Sequence, residues 1–404
     1  MYNNDMYIAL LGRQPELSIA ELERVFADVT WFNAETARIN TDEPIDIQRL
    51  GGSQKIGRII KEVPSTSWLA VSRSIVTHYS KALVTDHTKK EDSPTKITLG
   101  ISAYGFTVSP REVQKTGLVL KSKLKQSSLS LRLIPNKEAA LSTATSHHNK
   151  LGLSPHKIEL LIIRGKKSTI IAESTGAQNI TALAARDQGR PRRDAFVGML
   201  PPKLAQMMIN MAMQRHAPTE ATPPLRVLDP FCGTGVLLQE ALLMGYDVYG
   251  TDLSEKMIRY SQDNLAWLKE TSHVSTSWEL HEGDAMNTNW KKPLDGIACE
   301  TYLGQPFSAP PSASKLTEVR GNCNHIIGSF LTNLAQQLPS GTPAVIAVPA
   351  WKDAFGGFTH LPLTQKIESF GFQRVELSTV DSTKLLYFRP DQIVAREILL
   401  LVKK

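Results

Sequence analysis

The stretch RVLDPFCGTGVLL, residues 226–238, ends an apolar run in an acid, Asp229. A proline, Phe231 and a turn holding Gly233 and Gly235 follow it. Glycine lets backbone come close to a ligand where a Cβ would obstruct it. The next residues separate the candidate ligands. A phosphate-cradling loop needs Gly-Lys-Ser/Thr after the turn, and Val236-Leu237 stand there instead. A dinucleotide turn needs a third glycine, and Leu238 holds that place. A pyrophosphate is therefore the poorer fit, and a charged amino group suits Asp229 better.

Two more acids extend the pattern. VYGTDLS (248–254) ends in Asp252, placed to accept both ribose hydroxyls of an adenosine, with Leu253 beside it. HEGDAM (281–286) ends in Asp284, a candidate acceptor for an adenine amino group, with the backbone NH of Ala285 next to it. One acid at a strand end is ordinarily a helix cap. Three in order behind a PFCGTG turn read as a site for S-adenosylmethionine, with Phe231 and Leu253 completing the set.

These residues need a scaffold. From 225 onward, apolar runs and amphipathic stretches alternate. Strands are predicted at 226–230, 246–252, 278–283, 294–299, 343–349, 373–380 and 396–403, and helices at 234–244, 254–268, 323–338 and 362–370. Alternation of this kind implies an α/β domain with a mostly parallel, doubly wound sheet, whose ligands sit at the carboxyl ends of the strands. A helix at 199–214 precedes it, with Pro202 suited to the first turn.

The earlier residues read as mixed α+β. YIALLG (7–12) is a strand and IAELERVF (19–26) a helix, with Ser18 and Glu21 spaced as a capping box. KITLGISAY (96–104) is a strand, REVQKTGLVLKSKLKQ (111–126) a basic helix and SLRLIP (130–135) a strand. LSTATSHHNKLGL (141–153) looks helical, and KIELLIIRGKKSTIIAEST (157–175) gives two strands joined at Gly165-Lys166. HTKKEDSPTK (87–96) reads as a loop and RDQGRPRRD (186–194) as an arginine-rich linker.

Charge is uneven. Residues 51–200 carry 24 Lys and Arg against 10 Asp and Glu, a net of +14, while residues 201–404 have a net of −2. A solvated basic surface is the plain explanation for a mild excess; a field of this size points to nucleic acid. Lys121, Lys123, Lys125, Arg132, Lys166, Lys167, Arg190, Arg192 and Arg193 are the candidate RNA contacts. His147, His148 and His156 lack the neighbouring Cys or acid pattern of a metal site. Cys232, Cys299 and Cys323 have neither zinc-ligand spacing nor an even count, which predicts a reduced, cytoplasmic protein. No apolar run reaches the roughly eighteen residues of a bilayer span. The N-terminus has no basic leader ahead of its apolar stretch.

LDPFCGTGVLLQEALLMGYDVYGTDLSEKMIRYSQDNLAWL (228–268) resembles the catalytic domain of THUMP-containing tRNA guanosine N2-methyltransferases, in the branch acting on guanosine 10. The resemblance takes in RDQGRPRRDAFVGMLPPKLAQMMINMA (186–212), and more weakly GISAYG (100–105) and YIALLGRQPELSIAELERVF (7–26). It implies a ferredoxin-like module over 1–64, a THUMP RNA-binding module over 65–178, a linker over 179–200 and a Rossmann-like methyltransferase domain over 201–404. The implied activity is N2-methylation of guanosine 10 in tRNA with S-adenosylmethionine. Eukaryotic members of that branch work with a small activating subunit; nothing in this sequence shows the need for one.

In that family the fourth strand ends in Asp/Asn-Pro-Pro-aromatic. Here Glu300-Thr301-Tyr302-Leu303-Gly304 stands in its place, with Gln305-Pro306-Phe307 as a shifted counterpart. An exocyclic base amine has its lone pair delocalised into the ring, so the site must accept its hydrogens before the nitrogen can attack. Glu300 is the expected acceptor and Tyr302 the platform for a flipped base. The alternative is structural: Glu300 caps the next turn and Tyr302 packs beneath it. A C5-methyltransferase would need a cysteine nucleophile, and neither Cys232 nor Cys299 has a Pro-Cys or Thr-Cys context. A catalytically silent tRNA-binding protein, and an amine methyltransferase acting on DNA or protein, remain as rival functions.

Overall fold

The computed structural model describes residues 6–81, 83, 84, 96–127, 129–194, 200–214, 224–272, 274–353 and 355–404. The predicted loop at 87–96 lies outside them except for Lys96, as do residues 195–199 of the arginine-rich approach segment. The chain divides into two units. One holds Met1–Pro15, Asp28–Gln48 and Ser53–Ala182; the other holds Glu16–Ala27, Arg49–Gly52 and Leu183–Lys404.

The chain opens with β1 (Met6–Leu11), α1 (Pro15–Val25), β2 (Asp28–Asn33), β3 (Thr36–Asn40), β4 (Ser53–Val63) and α2 (Trp68–Ser74). It continues with β5 (Ile97–Tyr104), α3 (Pro110–Lys125), β6 (Leu131–Leu133), α4 (Thr143–His148), β7 (Lys157–Arg164), β8 (Thr169–Ala177) and α5 (Ile180–Gln188). The eight strands form one sheet in the order β2-β3-β1-β4-β8-β7-β5-β6. Helix α3 buries Val113, Leu120 and Leu124 in the same core as Leu99, Ile101 and Ile162. Its N-cap Ser109 and Glu112 form a reciprocal capping box, and Pro110 opens the first turn.

The capping box predicted at Ser18 and Glu21 does not form. Helix α1 starts earlier, at Pro15, so both residues lie inside it and are buried. Glu21 instead accepts the amides of Gly51 and Gly52 at 2.8 and 2.7 Å and Nδ2 of Asn210 at 2.6 Å. The helix predicted over 141–153 shrinks to α4, because Lys150 and Gly152 take positive φ and turn the chain.

The second unit continues through α6 (Pro202–Met213), β9 (Arg226–Asp229), α7 (Val236–Leu243), β10 (Asp247–Asp252), α8 (Glu255–Thr271), β11 (Trp278–Glu282), β12 (Gly296–Glu300) and α9 (Ala313–Gln337). Then come β13 (Pro343–Lys352), β14 (Phe358–Thr359), β15 (Phe372–Arg374), β16 (Leu386–Tyr387) and β17 (Val394–Lys403). The sheet runs β11-β10-β9-β12-β13-β17-β15, with β14 on β13 and β16 on β17. Strands β11, β10, β9, β12 and β13 are parallel, and β17 lies antiparallel to β13. The chain leaves β9 toward β10 and β11, then returns to β9's other side as β12. Strand order therefore reverses between β9 and β12, where open sheets of this kind bind ligands.

Both faces of this sheet are covered, which is why its strands read as continuous apolar runs. Val227, Val345 and Ile398 pack with α6 and α7 on one face. Ile297, Ile346 and Leu399 pack with Phe330 and Leu331 of α9 on the other. Three predicted elements differ. The helix predicted at 323–338 begins ten residues earlier, at Ala313, where Ser312 caps it. The helix at 362–370 is a pair of 3₁₀ turns, Pro362–Gln365 and Ile367–Phe370, ended by Gly371 at φ 83°. The strand at 373–380 is only three residues long, Phe372–Arg374. Among the described residues, no helix is long and apolar enough to cross a membrane.

Candidate active site

A cavity of about 750 Å³ opens at the carboxyl ends of β9, β10, β11 and β12. Asp229, Phe231, Gly233, Asp252, Leu253, Asp284, Ala285, Glu300 and Tyr302 all line it, so the structure brings these predicted residues together. Gly235 does not line it. At φ 80° it caps α7, and a Cβ there would stand 2.9 Å from Oγ of Ser261. Its part is to let the turn close onto α8.

Asp229 ends β9 with 3% of its surface exposed, and its Oδ1 accepts the amide of Phe231 at 3.1 Å. Burial, reinforced by the charges of Asp252 and Glu300, pushes its carboxyl well above the ordinary range. Asp252 ends β10. Its Oδ1 accepts the Ser254 amide and its Oδ2 the Gly233 amide, both at 2.9 Å, and burial raises its carboxyl as well. A carboxylate offers about four acceptor positions, so two hydroxyls still find room on Asp252. Asp284 follows β11, its Oδ1 accepting the Met286 amide at 2.9 Å. Phe231 is fixed edge-on against Phe330, ring centres 5.0 Å apart.

Glu300 ends β12, and its Oε1 accepts Nε of Arg396. Arg396 comes from β17 and reaches past β13, where it pairs with Pro349 while Glu300 pairs with Ala347. The Arg396 side chain is buried, at 7% exposure, that of Glu300 is partly buried, at 12%, and both line the cavity. The next residue, Thr301, ties the strand end to β13: its amide and hydroxyl both donate to the carbonyl of Ala347, at 3.0 and 2.9 Å. Tyr302 then projects at the cavity with 42% of its surface exposed. Gly304, at φ 81°, lets the chain pass Val319, whose Cγ1 would meet a Cβ at 2.8 Å. Gln305, Pro306 and Phe307 also line the cavity.

Cys232 and Cys299 are buried, and burial, with Asp229 beside them, pushes both thiols well above their ordinary range. Neither is a nucleophilic thiolate. Among the described residues, no group of three or more His, Cys, Asp and Glu is arranged to hold a metal.

The basic residues separate. Lys121 and Lys125 are exposed at the end of α3, and Lys123 donates to the carbonyl of Val76. Arg132 on β6 pairs with Thr98 at the start of β5, close to that helix end. Lys166 and Lys167 are exposed in the turn after β7, beside the other end of β5 and about 20 Å away along the strand. Arg192 pairs with Asp263 at 2.7 Å and lies over the Tyr260 ring, and Arg193 is exposed. Arg190 corrects the prediction: its side chain is fully buried and donates to Thr234 of the glycine turn, so it does not face solvent or a phosphate there.

Arg396, Thr301, Thr234 and the segment Asp391–Val394 were not predicted as site residues. Only Arg396 left a signal, as a charge near the start of the apolar run VAREILLLV (394–402).

The family model described as UPF0020: RMKL-like, methyltransferase domain, matches residues 190–323. A tRNA (guanine(10)-N2)-dimethyltransferase of Methanothermobacter thermautotrophicus is 29% identical over 169 residues, 41% of this chain and 44% of that one. One from Pyrococcus abyssi is 44% identical over 107 residues, 26% of this chain and 28% of that one. The chain thus spans less than half the length of these relatives. Among solved structures it is similar to TrmN from Thermus thermophilus, at 16% identity and a TM-score of 0.49, covering 99% of this chain and all of that one.

Proposed function

We propose that this chain is a member of the tRNA guanosine N2-methyltransferase family, an S-adenosylmethionine-dependent enzyme that methylates N2 of a guanosine in tRNA. The position carried in its relatives' names, guanosine 10, is the expected target. One observation supports this above others: three acids at the tips of β9, β10 and β11 share one cavity with a fourth, Glu300, at the tip of β12.

The cofactor, when bound, supplies an electrophilic methyl group on a positively charged sulfur. The residues around it do the rest. Asp229 accepts from the ammonium of its amino-acid end and Asp252 from its ribose hydroxyls. Asp284 takes the adenine amino group, beside the amide of Ala285. Phe231 walls the cavity between the cofactor turn and α9. Arg396 occupies Oε1 of Glu300, which leaves Oε2 to accept a hydrogen from the guanine amine. That bond draws the nitrogen lone pair out of the ring and orients it. The exposed ring of Tyr302 gives the base a stacking surface.

The basic first unit supplies the tRNA grip, with a ferredoxin-like module over 1–64 and a THUMP module over 65–178. Lys121, Lys125 and Arg132 form one phosphate-contacting group, and Lys166 and Lys167 a second. A tRNA substrate and three unpaired cysteines fit a cytoplasmic protein. Labelled methyl transfer to tRNA from a strain lacking the enzyme, followed by nucleoside analysis, tests the proposal. N2-methylguanosine is expected; label on DNA or protein, or on no acceptor, refutes it.

A further inference from the structure

Strand β13 outruns its neighbour at the cavity. Glu300, the last residue of β12, pairs with Ala347, and β13 continues to Lys352, about 17 Å further on. Strand β17 accompanies it there: Trp351 pairs with Val394, and the Lys352 amide donates to the carbonyl of Ile393 at 2.8 Å. Ile393 and Val394 line the cavity. The extension therefore forms a wall at the carboxyl edge of the sheet, the side from which a ligand enters. The chain then turns back as β14, where Phe358 pairs with Lys352.

The turn is wired through its backbone. Oδ1 of Asp353 accepts the amides of Phe355 and Gly357, at 2.8 and 2.9 Å. The Asp353 amide donates to the Gly357 carbonyl at 2.9 Å, and Gly356 takes a φ of 86° to close the loop. What this wiring presents is Phe355, 99% exposed. Among the described residues no other large apolar side chain is as bare; the next, Leu253 at 70%, lines the cavity. Behind the tip, Phe358 packs against Phe388, ring centres 5.2 Å apart, which braces the hairpin on the segment leading to the cavity wall. A lone exposed apolar residue is ordinary on a protein surface. This one differs in its mounting and in its place at the rim of the site.

The surroundings select its partner. A stable protein interface engages about 20–30 residues a side, and this tip offers one ring followed by two glycines. Lys352 and Arg389 are matched in charge by Asp353 and Asp391, so the tip has no cationic patch for an anionic membrane. A single aromatic face is the size of one base, and glycines let a nucleic-acid backbone come close. Phe355 lies at most about 10 Å of chain beyond Lys352, the span of a few stacked nucleotides. We infer that Phe355 is a stacking wedge: its ring takes the face of a base next to the target guanosine, while the guanosine itself is swung into the cavity. The inference rests on reading the cavity as the site of a flipped guanosine in tRNA.

Methyl transfer by the full chain tests it, on tRNA and on two tRNAs in which the base on one or the other side of the methylated guanosine has been removed. Phe355→Ala should lower kcat/KM on intact tRNA about 5- to 150-fold, the range for one base stacked on an aromatic ring. Phe355→Trp should stay near the wild type. Melting temperature and S-adenosylhomocysteine affinity should be unchanged in both variants, because the ring packs on nothing in the protein. On one of the two abasic tRNAs, wild type and Phe355→Ala should transfer equally fast. A Phe355→Ala enzyme with wild-type kcat/KM on intact tRNA overturns the inference, and if sedimentation then shows that the substitution breaks a dimer, the tip belongs to a second copy of the chain. A variant that keeps its full disadvantage on both abasic tRNAs overturns it too, as does one whose melting temperature falls along with its activity. A wild type that transfers no methyl group to any tRNA refutes the functional reading itself, and this inference with it.

Discussion

Replacing Arg396 by Met removes the only described cation bonded to Glu300 and leaves a carboxylate in a wall that already holds Asp229. Removing one partner of a buried pair costs about 3–5 kcal/mol. Glu300 borders the cavity, so water can reach its free edge, and the low end of that range applies. For a unit of this size, about 3 kcal/mol is a fall of roughly 6–12 °C in melting temperature. Glu300→Gln should cost less, because an amide oxygen still accepts from Nε. In the double variant, the loss of Arg396 should add little, giving a coupling of about 1–3 kcal/mol between the two positions. Catalysis should show the same pattern. Each single variant should lower kcat about 100-fold or more, the range for a positioned acceptor, and the double variant should be no slower than Glu300→Gln alone. Denaturant melts and single-turnover methyl transfer measure both quantities. Effects that simply add, in stability and in kcat, would refute the idea that Arg396 works through Glu300.

Two other outcomes follow from the burial of the site. Asp229, held above the ordinary carboxylate range when the cavity is empty, must ionise to meet an ammonium group. Cofactor binding should therefore release a proton, and affinity should rise as pH rises through the raised value; binding heats that do not depend on the buffer would contradict this. The double variant Cys232→Ala/Cys299→Ala should still transfer methyl groups, and the native protein should resist maleimide at both thiols, as mass spectrometry would show. Loss of transfer with the fold intact would restore a covalent mechanism.

The second unit was legible because each signal was local. Parallel strands covered on both faces appear as apolar runs, and Asp229, Asp252 and Asp284 follow three of them directly. Where a signal depended on pairing across the sheet, the sequence was mute. Glu300 and Arg396 are 96 residues apart and meet only because β17 turns back antiparallel beside β13. Arg190 sits among four arginines that differ in no local feature, yet one is buried while others are exposed. Ser18 and Glu21 have the spacing of a cap, but Pro15 starts the helix a turn earlier, and Glu21 serves the Gly51–Gly52 amides instead.

The altered strand end can be understood in the same terms. In the resembled family, two prolines follow the acid and fix its backbone by locking φ. Here neither is present, and the acid is one methylene longer, with more rotamers to lose. Thr301 replaces the rigid ring with two hydrogen bonds to a single carbonyl, that of Ala347. Arg396 restrains the extra methylene by holding one carboxylate oxygen. Thr301 takes its acceptor from the adjacent strand β13, and Arg396 comes from β17, one strand further on. A longer acid with external restraint can thus present its second oxygen to a base amine much as a shorter, proline-braced one does. Under the proposed function, the divergence at 300–304 is a relocated set of supports, and a kcat unchanged in Glu300→Gln would instead mark the loss of a catalytic site.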